Sequence, residues 1–175
     1  MRRSQRGVAL LIALIFLVVL TLIGLTSMRT ASLEEKMTSN QKDYYLAFEA
    51  AELALRAAET QLAGLTSLNN FSASPTNGLY AFHSLSSKVW TTVDWNSNAI
   101  SVTGLAKQTT AEAPKYIIEF LTTITKPVDD LNMDNDTDNK VVGATYNIFR
   151  ITARGKSGRG GVVFLQENYG VRGVI

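Results

Sequence analysis

Cysteine is absent from this chain of 175 residues, and histidine occurs once, as His83. The first absence excludes a disulfide framework, a thiolate nucleophile and a cysteine-ligated metal, so any folded domain here rests on packing alone. The second leaves a Ser-His-Asp triad a single place to form, in a serine-rich stretch, and no Gly-x-Ser-x-Gly elbow occurs to supply its nucleophile. Net charge is also nearly missing beyond the first seven positions: without Arg2, Arg3 and Arg6, fourteen basic residues face fifteen acidic ones. A body so close to neutral offers no electrostatic case for nucleic-acid binding as its main task.

The longest absence is of charge between Val8 and Met28, directly after Gln5-Arg6-Gly7. As a helix this uncharged span reaches roughly 30 Å, enough to cross the hydrocarbon of a bilayer. Arg2, Arg3 and Arg6 crowd one end and Arg29 stands beyond the other, which by the positive-inside rule keeps residues 1–7 cytoplasmic and exports the bulk of the chain. No Ala-x-Ala-like cleavage site follows the apolar block, and the pattern runs on through Leu33-Glu34-Glu35-Lys36-Met37 without a proline. The membrane segment therefore reads as retained rather than discarded. With 46% hydrophobic residues partly spent on that segment, what remains suffices for one modest core.

Leu33, Met37, Tyr44, Phe48, Ala51, Leu55, Ala58 and Leu62 recur at steps of three, four or seven, one stripe of an amphipathic helix that ends at Gly64 as its C-cap. Val8 to Ala63 then forms a single rod of roughly 80 Å. Such a rod fits an assembly element, and equally a single-pass anchor with a helical stalk. Residues 65–87, with Pro75-Thr76-Asn77-Gly78, read as a connecting loop. Strand character follows in Val89–Trp95, in Ile100 with Val102, and in Tyr116, Ile118, Phe120 and Ile124 on one parity. Phe149–Ala153 and Val162–Leu165 form a β-hairpin around Gly155–Gly161. The expected organisation is residues 1–7, a membrane half of the helix at 8–28, an amphipathic half at 29–64, the loop at 65–87 and a sheet domain at 88–175. The fold class is α+β, with the helix stripe covering one face of an antiparallel sheet.

Few constellations suggest chemistry. Gly155-Lys156-Ser157 matches only the end of a phosphate loop, whose first glycine would fall at Arg150 within a strand; a hairpin turn is the better reading. Asp134, Asp136 and Asp138 alternate as in the start of a calcium loop, but Asn139 and Thr145 stand where an EF-hand needs Gly and Glu. A solvated acidic loop is expected there, with these three aspartates as weak metal candidates. Arg150, Arg154, Lys156, Arg159 and Arg172 read as a solvated strand face and turn, and Trp90, Trp95, Phe120 and Phe149 as core. No catalytic residue and no cofactor are expected.

Gln5-Arg6-Gly7 followed at once by an apolar helix resembles the type III signal of type IV prepilins. Leu22 to Met28, Arg29-Thr30, Leu33-Glu34-Glu35-Lys36-Met37 and Ala47-Phe48-Glu49-Ala50-Ala51-Glu52-Leu53-Ala54-Leu55-Arg56 resemble the N-terminal region of the PilX family of minor pilins. Tyr146 to Gly155, with Val162 to Gln166, is similar to that family's C-terminal hairpin. The resemblance implies a type IV pilin-like fold, cleavage by a prepilin peptidase between Gly7 and Val8, and N-methylation of Val8. Ile12 stands where most pilins carry the glutamate that pairs with a neighbour's N-terminal amine. A buried carboxylate is tolerable mainly when so paired, and a subunit lacking it suits the end of a helical array; the K-type pseudopilin of type II secretion shows the same absence. The implied partners are other minor pilins and the major pilin through the long helix, the inner membrane before assembly, and a large tip adhesin. The implied role is structural: initiation of pilus assembly at the tip, in support of adhesion or twitching motility. The alternatives are a minor pseudopilin of type II secretion or a membrane-tethered periplasmic binding module.

Overall fold

The computed structural model describes residues 6–74, 77–82, 88–103, 112–125 and 145–173. In chain order these form helix α1 (Arg6–Ala63), β1 (Leu79–Tyr80), α2 (Val89–Thr92), β2 (Ile100–Ser101), β3 (Lys115–Thr125), β4 (Thr145–Lys156) and β5 (Val162–Arg172). The chain divides into two compact units, Met1–Lys42 and Asp43–Ile175. In the described part of the first, α1 runs without a break, as a proline-free, leucine-rich sequence allows.

In the second unit the rest of α1 packs on a sheet of order β1-β3-β4-β5, with β2 also pairing β3. β3–β4 and β4–β5 are antiparallel. β1 pairs β3 in parallel, Leu79 with Ile118, so the sheet is mixed where a wholly antiparallel one was expected. Parallel neighbours require a crossover connection rather than a tight turn. The described part of that connection, residues 88–103, packs Trp90, Val93, Trp95 and Ala99 against Ile117 on the face away from α1. β1 itself lies within residues 65–87, where only a loop was expected. Its turn ends at Gly78, whose φ of 73° suits glycine.

The stripe that the spacing suggests holds only in part: Ala51, Ala58 and Leu62 are buried as expected, but the large side chains before them are not. Ala47, Ala50, Ala51, Ala54, Ala58 and Leu62 are buried, whereas Leu33, Met37 and Tyr44 are exposed, and Phe48 and Leu55 are half-buried at the margins. The reason lies in β4. A Cβ at Gly155 would stand 2.0 Å from the Ala47 carbonyl oxygen and 2.5 Å from the Ala51 nitrogen, so strand and helix backbones touch with no side chain between them. Only small residues on the facing line of α1 permit that approach.

Farther along, Ala54, Ala58 and Leu62 cover Tyr116, Ile118, Phe149, Ile151 and Ala153. The Phe71 and Phe120 rings lie 5.5 and 5.7 Å from that of Phe149, and Tyr116 donates its hydroxyl to Gln61 Oε1 at 2.8 Å. Each fully buried large side chain, such as Phe149 or Ile151, contributes about 2 kcal/mol.

Two further expectations change, and the end of α1 before Gly64 is as expected. Between Phe120 and Thr122 the β3–β4 register shifts, and this bulge turns the end of β3 over. Ile124 therefore leaves the parity of Tyr116 and Ile118 and is exposed. Val89–Thr92 is one helical turn rather than a strand, because Asp94 stops extension by accepting the Asn96 N–H at 2.9 Å and the Ser97 hydroxyl at 2.6 Å. Gly64 follows α1 without a positive φ: its N–H bonds to the Thr60 carbonyl, and the Leu65 N–H closes a tighter turn to Leu62. The β4–β5 hairpin is present as expected.

Gly155→Ala is expected to destabilise the sheet unit by about 3 kcal/mol or more, since neither backbone can yield cheaply. Urea unfolding followed by the near-ultraviolet ellipticity of Trp90 and Trp95 measures it; a cost below about 1 kcal/mol would contradict the contact.

Candidate functional site: the exposed apolar helix

Gly7, Val8 and Ile12 lie on the first turns of α1. Val8 is 59% exposed and Ile12 47%, and the large apolar side chains between Leu10 and Leu25 are likewise exposed. The helix is long and apolar enough to cross a membrane. A row of bare Leu, Ile, Val and Phe is stable only in lipid or among other apolar helices. Its hydroxyls are neutralised locally. Thr21 donates to the Val18 carbonyl at 2.7 Å, Thr26 to Ile23 at 2.8 Å, Ser27 to Ile23 at 3.0 Å and Thr30 to Thr26 at 3.1 Å. The apolar span therefore carries no open hydroxyl at these positions, a property readable from the rule that Ser and Thr in helices bond back to carbonyls.

Gly7 is helical, and a Cβ added to it meets nothing within 4 Å. Among the described residues no packing demands glycine there, in contrast to Gly155.

Among the described residues of the second unit, polar groups gather around Asp43 and around Glu112. Asp43 accepts the Ser157 hydroxyl on Oδ2 at 2.7 Å and the Arg159 N–H on Oδ1 at 3.3 Å, tying α1 to the β4–β5 turn. The Gly155-Lys156-Ser157 segment thus ends β4 and begins a turn closed by the Ser157 N–H bond to the Gly161 carbonyl at 2.8 Å. On the other face Glu112 bonds Lys115 Nζ and lies 3.8 Å from Arg154 and 3.5 Å from Lys156. The Lys115 hydrogen bond holds its carboxyl below the usual range; burial opposes this, and the charges of Lys115, Arg154 and Lys156 add to it.

Arg150 and Arg154 are therefore not the solvated face that was expected. Each guanidinium lies 5.7 Å from an indole ring, Arg150 over Trp90 and Arg154 over Trp95, and Arg150 lies 3.9 Å from Glu119. They are covered because residues 88–103 cross this face. Arg159 and Arg172 are exposed. No sequence signal pointed to Glu112 or Asp43, since their partners lie up to 116 positions away. His83, Asp134, Asp136 and Asp138 lie outside the described residues. Among the described residues no group of three or more His, Cys, Asp or Glu could hold a metal ion.

A bare apolar helix whose continuation packs on a mixed sheet is the α+β, pilin-like arrangement. Two family descriptions match the chain: PilX N-terminal over residues 6–56, and Type IV pilus assembly protein PilX C-term over residues 33–171. The chain belongs to the PilX family and is a minor pilin of type IV pilus assembly, a structural component of the pilus. Searches of curated proteins and of solved structures returned no match.

Glu112→Gln is expected to cost about 1–2 kcal/mol near neutral pH, because three cations lose their counter-charge. A carboxyl whose folded pKa is depressed adds stability above its unfolded value, and that stability is lost as pH falls through the folded one. Wild type should accordingly lose stability on acidification below the ordinary glutamate range, and the variant should lose less; paired urea titrations at each pH check both.

Proposed function

We propose that the chain is made as a precursor, cut between Gly7 and Val8 by a prepilin peptidase and N-methylated on Val8. In this reading it waits in the inner membrane with its first residues cytoplasmic, then passes into the pilus with α1 buried among the helices of other minor pilins and the major pilin. The carrying observation is the wholly exposed apolar helix beginning at Val8. Open space around Gly7 supports a requirement for glycine that comes from outside the fold.

Ile12 supports placement at the tip. A subunit within the shaft both offers an amine to a carboxylate and offers a carboxylate to an amine; with Ile12 this chain does only the first. An unpaired charge in an apolar bundle is costly, so the uncompensated neighbour is best avoided at an end of the array. There the protein would act with other minor pilins to initiate assembly and present an adhesin, supporting adhesion or twitching.

Mass spectrometry of the mature protein should find Val8 as the first residue, carrying one methyl group; retention of residues 1–7 would end the processing reading. On sheared fibres, a gold-labelled antibody should mark ends in wild type, and Ile12→Glu should spread label along the shaft. Even labelling of the wild type would refute tip placement.

A further inference from the structure

Asn77 is the one asparagine of the chain that is followed by glycine, and the fold holds that pair in a particular posture. Asn77 is exposed, while Gly78, Leu79 and Tyr80 after it are buried. The Leu79 N–H donates to Asn77 Oδ1 at 3.3 Å, and Asn77 Nδ2 donates to the Asn70 carbonyl at 3.4 Å. The first bond closes a ring around the Asn77–Gly78 peptide, which brings the carboxamide carbon back toward the Gly78 nitrogen and sets a donor against its oxygen. No bulkier residue that would screen this nitrogen fits in place of Gly78: its φ is 73°, and a Cβ would stand 2.8 Å from Ile100 Cγ1. The Gly78 carbonyl accepts the Ile118 N–H at 2.9 Å, a bond that helps hold the two-residue strand β1 to β3.

We propose that Asn77 and Gly78 form a self-modifying site, at which the chain converts Asn77 into iso-aspartate and thereby releases β1. The Gly78 nitrogen, its proton taken by hydroxide, attacks Asn77 Cγ; the new C–N bond sends an electron pair to Oδ1, where the Leu79 N–H meets the developing charge. Collapse of this intermediate expels the carboxamide nitrogen, which leaves as ammonia with a proton from water, and closes a succinimide ring. Water then opens the ring. Attack at the side-chain carbonyl gives aspartate, and attack at the main-chain carbonyl gives iso-aspartate, in which the backbone runs through Cβ and Cγ and is longer by one methylene. Water enters and ammonia leaves, with no other reactant. The lengthened backbone does not fit where Gly78 is closed in by Ile100 and bonded to Ile118, so Leu79 and Tyr80 are drawn out of the clusters they fill on the two faces of the sheet. The site is independent of the tip reading and of processing at Gly7.

The test ages the full chain in detergent micelles, below its melting temperature, at neutral and at mildly alkaline pH, and maps its peptides by mass spectrometry. The Asn77 peptide should lose the mass of ammonia and then gain that of water, at a rate that rises with pH, while exposed Asn96, followed by Ser97, should lag well behind. Conversion of Asn77 no faster than that of Asn96, or conversion only after unfolding in urea, would overturn the site. Aged chain, separated by its added negative charge and shown by fragmentation to carry iso-aspartate, should melt a few degrees below fresh chain. Asn77→Asp, with the same charge on an unlengthened backbone, should melt with the fresh chain. Aged chain that melts with the fresh one would refute the release of β1, and so would Asn77→Asp melting as low as the aged chain; the wild-type comparison stands without the variant.

Discussion

The sheet unit depends on one contact in which two backbones meet with nothing between them. Gly155 lies against the Ala47–Ala51 turn of α1 so closely that a methyl group would overlap both a carbonyl oxygen and an amide nitrogen. Everything along that side of α1 follows from it: five alanines on the buried line, large side chains displaced to the margins, and aromatic packing postponed to the Leu62 end, where Phe71, Phe120 and Phe149 cluster. At the other end Asp43 holds the hairpin turn through Ser157 and Arg159. The helix is thus close at its middle and fastened on both sides of that point.

The opposite face is governed by the crossover. Parallel pairing of β1 with β3 sends the chain across the sheet, and residues 88–103 bring two tryptophans over Arg150 and Arg154. A guanidinium under an indole keeps attraction in a site poor in water, and Glu112 and Glu119 compensate the charge. Arg150 and Arg154, expected on a solvated strand face, are spent inside the domain.

Much of the fold was legible because it rests on local pattern. The uncharged block, the unbroken helix and the hairpin from Phe149 to Leu165 all show themselves within short windows. The buried line of α1 did so only in part, at Ala51, Ala58 and Leu62, because periodicity weights Tyr44, Phe48 and Leu55 alongside alanines, and the preference for alanine originates in a glycine about a hundred residues later in the chain. The bulge near Leu121 and the turn at Asp94 are single-residue events that reverse a face or end a strand. At the candidate site, Gly7 and Ile12 were visible as positions in a motif. Glu112 and Asp43 were not, since their roles come from partners on other elements.

The Gly155 contact also works as a ruler. Ala47, Ala50 and Ala51 receive it, and sliding the helix by one turn, about 5.4 Å, would bring Phe48 or Leu55 against the strand. One turn nearer the start of α1, the Asp43 bonds to Ser157 and Arg159 hold the same register. The register of α1 on the sheet is thus a property of the sheet unit alone, set by a strand backbone and held by a turn.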